Sequence, residues 1–155
     1  MNTKAYLKWT KIILAAAAVL LLAIFAALIA KEKARQKEAQ AQMLDAIDNV
    51  VLVCTSYDEK IEIKEDLRSD LDIYAANING TDSVQEKAYY ANIMLTYVQN
   101  RVNMNDPKNL YELALELGNA YEADPEQAAA YKKYQEELSA ASEQFRAADI
   151  NYKNS

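Results

Sequence analysis

Residues 131–153, YKKYQEELSAASEQFRAADINYK, carry an apolar or tyrosine side chain at every third or fourth position. This spacing is typical of one face of an α-helix, because about 3.6 residues make one turn. Such a face is either a packing seam or an aromatic ligand site. The packing seam is favoured, because tyrosine rings can be buried while their hydroxyl groups reach water. The stripe consists of Tyr131, Tyr134, Leu138, Ala141, Phe145, Ala148 and Tyr152.

Capping signals divide the preceding residues into further helices. Three helix starts are predicted by an N-cap residue with a suitable glutamate or proline after it: Ser83 with Glu86, Asp106 with Pro107, and Asp124 with Pro125. Gly80 is expected to end a long first helix in the left-handed conformation. Only two glycines and two prolines are present, and the connections are short, which favours antiparallel helices. The predicted fold is therefore all-α, with an N-terminal transmembrane helix and an antiparallel bundle of about four helices, the first one long.

A seven-residue pattern runs through the predicted first helix of the bundle, from Met43 to Asn79. Its two rows are apolar except at Lys64 and Arg68, where the helix is either exposed or locally bent. Cys54 lies within a row and is interpreted as a buried core thiol. Together with the tyrosine stripe, the predicted seam contains Ile47, Val50, Cys54, Tyr57, Ile61, Leu71, Leu95 and Leu117.

Residues 12–30, IILAAAAVLLLAIFAALIA, contain no polar side chain. As a helix they span roughly 28 Å at about 1.5 Å per residue, close to the hydrocarbon thickness of a bilayer. A cleaved secretory signal is the alternative, but Leu28, Phe25 or Ile24 would occupy the place of a small residue at its cleavage site. An uncleaved membrane anchor is therefore favoured. The predicted membrane-interface residues are Tyr6, Trp9, Lys11, Lys31 and Lys33.

Four segments follow from this pattern: a basic tail (1–11), the transmembrane anchor (12–30), a helical stalk (31–42) and a helical bundle domain (43–155). The stalk, KEKARQKEAQAQ, has no large apolar side chain and is expected to be solvated. Lysine and arginine flank both ends of the anchor, so the positive-inside rule nearly balances. The short basic N-terminus favours a single-pass cell-membrane protein with its bundle on the extracytoplasmic side.

Composition narrows the function classes. The chain has no histidine and one cysteine, which excludes an internal disulfide, Cys/His zinc sites and histidine-dependent nucleophilic catalysis. Chemistry based on carboxylates alone would need aspartate or glutamate converging inside the core, and the apolar stripes contain neither. We therefore expect a non-enzymatic protein without a cofactor or a metal.

Charge indicates the kind of partner. All 23 acidic residues follow the anchor, whereas three of the 17 basic residues precede it, so nucleic acid is disfavoured as a ligand. Acidic clusters are usually solvated helix faces; the functional alternative is that they bind a basic partner or, weakly, cations. The candidate acidic interaction surface consists of Asp58, Glu59, Glu65, Asp66, Glu136 and Glu137.

Two stretches resemble the LemA family of bacterial membrane-anchored helical proteins. In YDEKIEIKEDLRSDL, the matching positions are Asp58, Ile61, Asp66, Leu67 and Leu71; in YQEELSAASEQFRAADINY, they are Gln135, Glu137, Leu138, Ser139, Ala148 and Tyr152. The family's paired arginines are replaced here by Ile63 and Lys64, and its proline by Ser69. The resemblance implies a membrane-tethered helical bundle with no established active site to carry over.

These observations predict a structural or interaction protein that displays an acidic helical surface to a protein partner. The alternative is a sensor-type four-helix domain that binds a small ligand and acts through a partner. Homo-oligomerisation through the heptad rows is not favoured, because the later helices need a surface for their own apolar stripes. Association through the alanine-rich anchor is possible, since small residues let helices approach closely in lipid, but alanine is also a common membrane residue, so this is not favoured either.

Overall fold

The computed structural model describes residues 3–122 and 124–155, with side chains from Leu7 onwards; the side chain of Tyr6, a predicted interface residue, lies outside this set. The described residues form α-helices and no β-strand, which confirms the all-α prediction. The helices are α1 (Thr3–Thr55), α2 (Tyr57–Lys60), α3 (Arg68–Asn79), α4 (Val84–Asn105), α5 (Pro107–Glu116) and α6 (Pro125–Lys153). The chain divides into two compact units, Met1–Glu38 with Ser155 and Ala39–Asn154.

The first unit contains the apolar part of α1. Every side chain of residues 12–30 is exposed; Leu14 is 65% and Leu22 is 69% accessible. The helix is long and apolar enough to cross a membrane, with a mean hydropathy of 3.1 in its most apolar window. Trp9, Lys11, Lys31 and Lys33 are exposed at the two ends of this apolar stretch.

The second unit contains one hydrophobic core. Residues from the end of α1, from α3, from α4 and from α6 contribute to it, and α4 contacts α3, α5 and α6. The α1 residues Ile47, Val50 and Cys54 are at most 1% exposed. The apolar stripes of these helices are therefore the faces that the fold removes from water, which is the main stabilising contribution to a helical domain.

The long helix expected to end near Asn79 is broken in the structure, at the place where Lys64 and Arg68 left a local bend open. α1 ends at Thr55, α2 is a single turn, and residues 61–67 are not helical. We call residues 61–67 the strap. No glycine or proline lies between Thr55 and Arg68, so the break does not result from a helix-breaking residue. Lys64 and Arg68, the two charged positions of the heptad rows, are exposed at this break.

Burial and hydrogen bonding explain why the strap leaves the helical path. Ile61 and Leu67, at its two ends, are 6% and 1% exposed. The hydroxyl groups of Thr55 and Ser56 donate to the carbonyl oxygens of Val51 and Val53, at 2.8 and 3.0 Å. The Ser56 bond supplies a donor to the Val53 carbonyl at the end of α1, where the helix no longer supplies one, and the Thr55 bond adds to the helical bond that Val51 already accepts. Burial of the strap's apolar ends thus outweighs a local sequence that favours helix.

The predicted helix starts after the break are confirmed. Ser83, Asp106 and Asp124 are the N-cap residues of α4, α5 and α6, and each side chain accepts a backbone hydrogen bond from the following turn. α3 ends at Asn79 as expected, but Gly80 is right-handed (φ −79°) rather than left-handed. Its N–H donates to Ala76 O at 2.8 Å, so the turn continues the helical hydrogen bonding instead of reversing it. Gly118, after α5, has the left-handed conformation with φ of 71°.

Replacing Ser83 with alanine is expected to destabilise the protein by about 1 kcal/mol, because the Glu86 N–H loses its side-chain acceptor. Chemical denaturation of the full-length chain in detergent micelles, followed by circular dichroism, measures this change. Ser139→Ala, at an exposed position within α6, is the matched control and is expected to change stability little. Equal losses in the two variants would contradict the capping role of Ser83.

Helix α5 is less buried than its sequence predicts. Leu113 and Leu117 are 51% and 67% exposed, so Leu117 lies on the surface and not in the predicted seam. The reason is its position: Leu117 follows the last residue of α5 and precedes the left-handed Gly118, where the chain turns away. Within α5, only Pro107 is buried.

Candidate functional site

The tyrosine stripe of α6 belongs to the core. Tyr131 and Tyr134 are each 1% exposed, and Tyr152 is partly buried against the same cluster. The stripe's other four members are also buried: Leu138, Ala141, Phe145 and Ala148. These side chains occupy the interior of the fold, so they are not presented to a ligand at an open aromatic site.

The hydroxyl groups of the two buried tyrosines bind backbone carbonyls at the helix break. Tyr134 Oη donates to Val53 O at 2.6 Å, near the end of α1, and Tyr131 Oη donates to Glu62 O within the strap. Both carbonyl groups lie where regular helical hydrogen bonding stops. Helix α6 therefore stabilises the break through tyrosine hydroxyls as well as through apolar packing.

A third tyrosine completes this arrangement. Tyr57, the first residue of α2, is 6% exposed, and its hydroxyl accepts a hydrogen bond from the Leu67 N–H at 3.3 Å. This bond joins the beginning of the break to the far end of the strap. Among the described residues, every buried side-chain nitrogen or oxygen has a hydrogen-bond partner. The buried tyrosines are thus accommodated without an unsatisfied polar atom.

Stability is expected to fall at alkaline pH because of these tyrosines. Burial raises the pKa of Tyr131 to about 12 and also raises the pKa of Tyr134 above its ordinary value. The contribution is fully present below pH 10, where unfolded tyrosine keeps its proton, and it is lost as the pH rises through about 12.

Chemical denaturation at a series of pH values tests this expectation. The Tyr131→Phe/Tyr134→Phe double variant should be less stable than the wild type at neutral pH but should lose less stability above pH 10. Tyr89→Phe, at a 64% exposed position, controls for other groups that titrate in this range. Identical alkaline slopes in the wild type and the double variant would contradict the assignment.

An open groove with a volume of about 800 Å³ lies between the strap, α2 and the first turn of α6. We call it the acidic groove. Four of the predicted acidic surface residues line it: Asp58, Glu59, Glu65 and Asp66. Glu136 and Glu137 lie further along α6 and do not line it. The structure thus brings most of the predicted acidic surface together at one place. The groove's full lining is Tyr57, Asp58, Glu59, Lys60, Ile61, Glu62, Ile63, Lys64, Glu65, Asp66, Asp124, Glu126, Gln127 and Ala130.

Ion pairs join the groove to neighbouring helices. Glu65 pairs with Arg101 of α4 at 2.7 Å, and Asp58 pairs with Arg68 at the start of α3. Lys60 pairs with Glu137, so this predicted surface carboxylate is already engaged by the chain itself. All of these pairs are partly exposed, where a single pair contributes at most about 1 kcal/mol. They connect the groove's walls to α3, α4 and α6 and add little to the stability of the fold.

The structure offers no site for thiol chemistry or for metal binding among the residues that it describes. Cys54 is fully buried, so its thiol does not reach solvent. Within the residues that the structure describes, no three cysteine, aspartate or glutamate side chains are close enough together to hold a metal ion. The groove's carboxylates are spread along its walls and do not converge on a single point.

Three acidic residues of this groove were not predicted from the sequence, one from the strap and two from the start of α6. Glu62, Asp124 and Glu126 line the groove but were not among the predicted acidic surface residues. A straight first helix would have placed the strap's carboxylates along a solvated helix face. The alternation of isoleucine with charged residues in IEIK, at positions 61–64, is typical of an extended segment, but it covers only four residues within a heptad pattern that favours helix from Met43 to Asn79.

No protein-family model, curated protein or solved structure was found to match this chain.

Proposed function

We propose that this chain is a membrane-anchored interaction protein that presents an acidic surface to a basic protein partner and catalyses no reaction itself. The observation that carries the proposal is the lining of the acidic groove, which has seven carboxylate side chains and two lysines. Complementary charge accelerates association and selects among partners, even where it adds little to affinity. A basic segment is the partner that such a surface attracts.

The proposal uses the apolar part of α1 as the anchor. Residues 12–30 expose apolar side chains on every side of the helix, and lipid is the environment that suits such a surface. In this proposal, the helices of residues 39–154 form an antiparallel bundle, and this bundle lies on the extracytoplasmic side of the membrane. The partner would then belong to the cell envelope or the cell surface.

We also propose that the chain is a divergent member of the LemA family. The motif positions Leu138 and Leu71 belong to the core, and Tyr152 packs against it. These positions support the proposal because a divergent sequence retains the residues that its packing needs. The replacement of the paired arginines by Ile63 and Lys64 falls within the strap, where this chain has its acidic groove.

A small-ligand sensor is the second candidate function. The volume of the acidic groove, about 800 Å³, lies within the range of small-molecule sites. Ligand-dependent melting of the full-length protein distinguishes the two candidates. A specific ligand at 100 times its Kd would add about 2.7 kcal/mol to stability, whereas a protein-interaction surface gains nothing from small metabolites.

Photo-crosslinking in native membranes tests the interaction proposal. A photoreactive residue at Glu59, in the acidic groove, is expected to yield a protein adduct of discrete mass whose amount falls as salt is raised. The same residue at Ile150, which is 52% exposed and outside the groove, is the control. Equal adducts at both positions, or no adduct at Glu59, would contradict the proposal.

A further inference from the structure

We propose that the occupant of the acidic groove is an extended peptide segment in which basic residues alternate with apolar ones. This inference rests on the proposed function and specifies its partner. It differs from binding to a general acidic surface, because it requires the shape and the apolar floor of one groove. The floor, the charge distribution and the backbone of the strap each support it.

The floor of the groove is apolar. Tyr57 and Ile61 are each 6% exposed, and Ile63 and Ala130 are partly buried beside them. A partner that offered only charge would leave the exposed part of Ile63 and Ala130 in contact with water. A side chain such as leucine that covers it gains roughly 25 cal/mol for each Å² of apolar surface removed from water.

The negative charge is distributed along the walls of the groove. Asp58 and Glu65 are each balanced by an arginine, whereas Glu59 and Glu62 have no ion pair among the described residues. Asp124 and Glu126 add two more carboxylates from the start of α6. Because the carboxylates do not gather into a metal site, several separated cationic groups fit this distribution better than one divalent cation does.

The backbone of the strap can also form hydrogen bonds with a peptide. Ile61 is extended, with φ of −140° and ψ of 152°, and the described backbone groups of residues 62–66 make no hydrogen bond to other backbone groups. The Glu62 carbonyl is bound by Tyr131, which fixes this part of the strap in place. An extended peptide pairs with backbone groups that have no backbone partner, while its side chains alternate between wall and floor.

Fluorescence anisotropy with three labelled peptides of equal length tests the inference. One alternates lysine with leucine, one lysine with serine, and one glutamate with leucine. They are titrated with full-length protein in nanodiscs of zwitterionic lipid, and empty nanodiscs correct for binding to lipid. The lysine–leucine peptide is expected to bind about tenfold more tightly than the lysine–serine peptide, and the glutamate–leucine peptide not to bind.

Three variants locate the binding. Glu59→Lys/Glu62→Lys should weaken the lysine–leucine peptide about tenfold or more. Glu136→Lys/Glu143→Lys makes the same charge change at exposed positions outside the groove and should have little effect. Ile63→Ala should reduce the preference for leucine over serine. Circular dichroism and melting temperature confirm that each variant is folded.

The outcomes separate this inference from the proposed function. If both lysine double variants weakened peptide binding equally, and leucine gave no advantage over serine, the groove would not be the binding site. The protein would then bind basic partners through a diffuse acidic surface. Failure of every peptide to bind, while Glu59 still yields a protein adduct in membranes, would overturn the peptide assignment alone. Loss of both signals would overturn the proposed function as well.

Discussion

Replacing Tyr134 with alanine is expected to lower the free energy of unfolding by about 3–5 kcal/mol, the largest effect predicted for a single side chain here. The ring is 1% exposed, so its removal leaves a cavity between α6 and the end of α1. The hydroxyl group is lost as well, and the Val53 carbonyl keeps only one of its two hydroxyl donors, that of Ser56. Urea denaturation of the full-length chain in detergent micelles, followed by circular dichroism, measures the change.

Two further variants divide this effect between packing and hydrogen bonding. Tyr134→Phe keeps the ring and removes the hydroxyl, and it is expected to cost about 1 kcal/mol, the net value of one hydrogen bond, because the Val53 carbonyl keeps the Ser56 hydroxyl as a donor. Tyr89→Ala removes a ring that is 64% exposed and should cost far less. A Tyr134→Ala loss no greater than that of Tyr89→Ala would contradict the placement of the tyrosine stripe in the core.

The Leu20→Arg/Leu21→Arg double variant is expected to abolish stable membrane integration. Each arginine at the centre of a transmembrane helix costs about 2.5–3.5 kcal/mol on the insertion scale, and a favourable leucine is lost with each exchange. Wild-type protein should remain in the membrane pellet after alkaline extraction, whereas the variant should appear in the supernatant. Both positions are exposed on α1, so the exchange disturbs no contact within the protein.

The control for the Leu20→Arg/Leu21→Arg variant adds two arginines outside the apolar stretch. Leu52→Arg/Ile150→Arg places two arginines at exposed apolar positions outside residues 12–30 and should leave the protein in the pellet. Extraction of the control variant together with the anchor variant would indicate that charge or misfolding, and not loss of the anchor, releases the protein. Retention of the anchor variant would contradict the assignment of residues 12–30 to the membrane.

The helix starts and the tyrosine stripe could be predicted from the sequence, because both depend on residues that are close together in the chain. The N-caps at Ser83, Asp106 and Asp124 depend on bonds within a single turn, and the sequence identifies their helix starts correctly. The tyrosine stripe depends on helical periodicity alone. Both kinds of signal are complete within a few neighbouring residues, so no knowledge of distant contacts is needed.

The break in the first helix depends on distant contacts. Tyr131 binds the strap from 69 residues away, and Tyr134 binds Val53 from 81 residues away. The residues of the break favour helix by themselves, and burial of Ile61 and Leu67 overrides that preference. A single sequence does not reveal which distant side chain competes with local helix formation.

The acidic groove also depends on contacts between residues that are distant in the sequence, because the break in the first helix creates it. Four of its carboxylates were predicted as a surface, but the groove forms only because the strap lies beside the first turn of α6. Leu117 shows the reverse case: its spacing predicted burial, yet the end of α5 leaves it exposed. Apolar spacing predicts which face of a helix can be buried, and the packing of neighbouring helices decides how far the burial extends.

Protease accessibility of a tag placed after Ser155 tests most directly whether this chain displays its helical domain outside the cytoplasm from a membrane anchor. We expect the tagged protein in the membrane fraction, with the tag digested by external protease on intact cells. Protection of the tag until the cells are permeabilised would contradict this orientation and move the search for a basic partner to the cytosol.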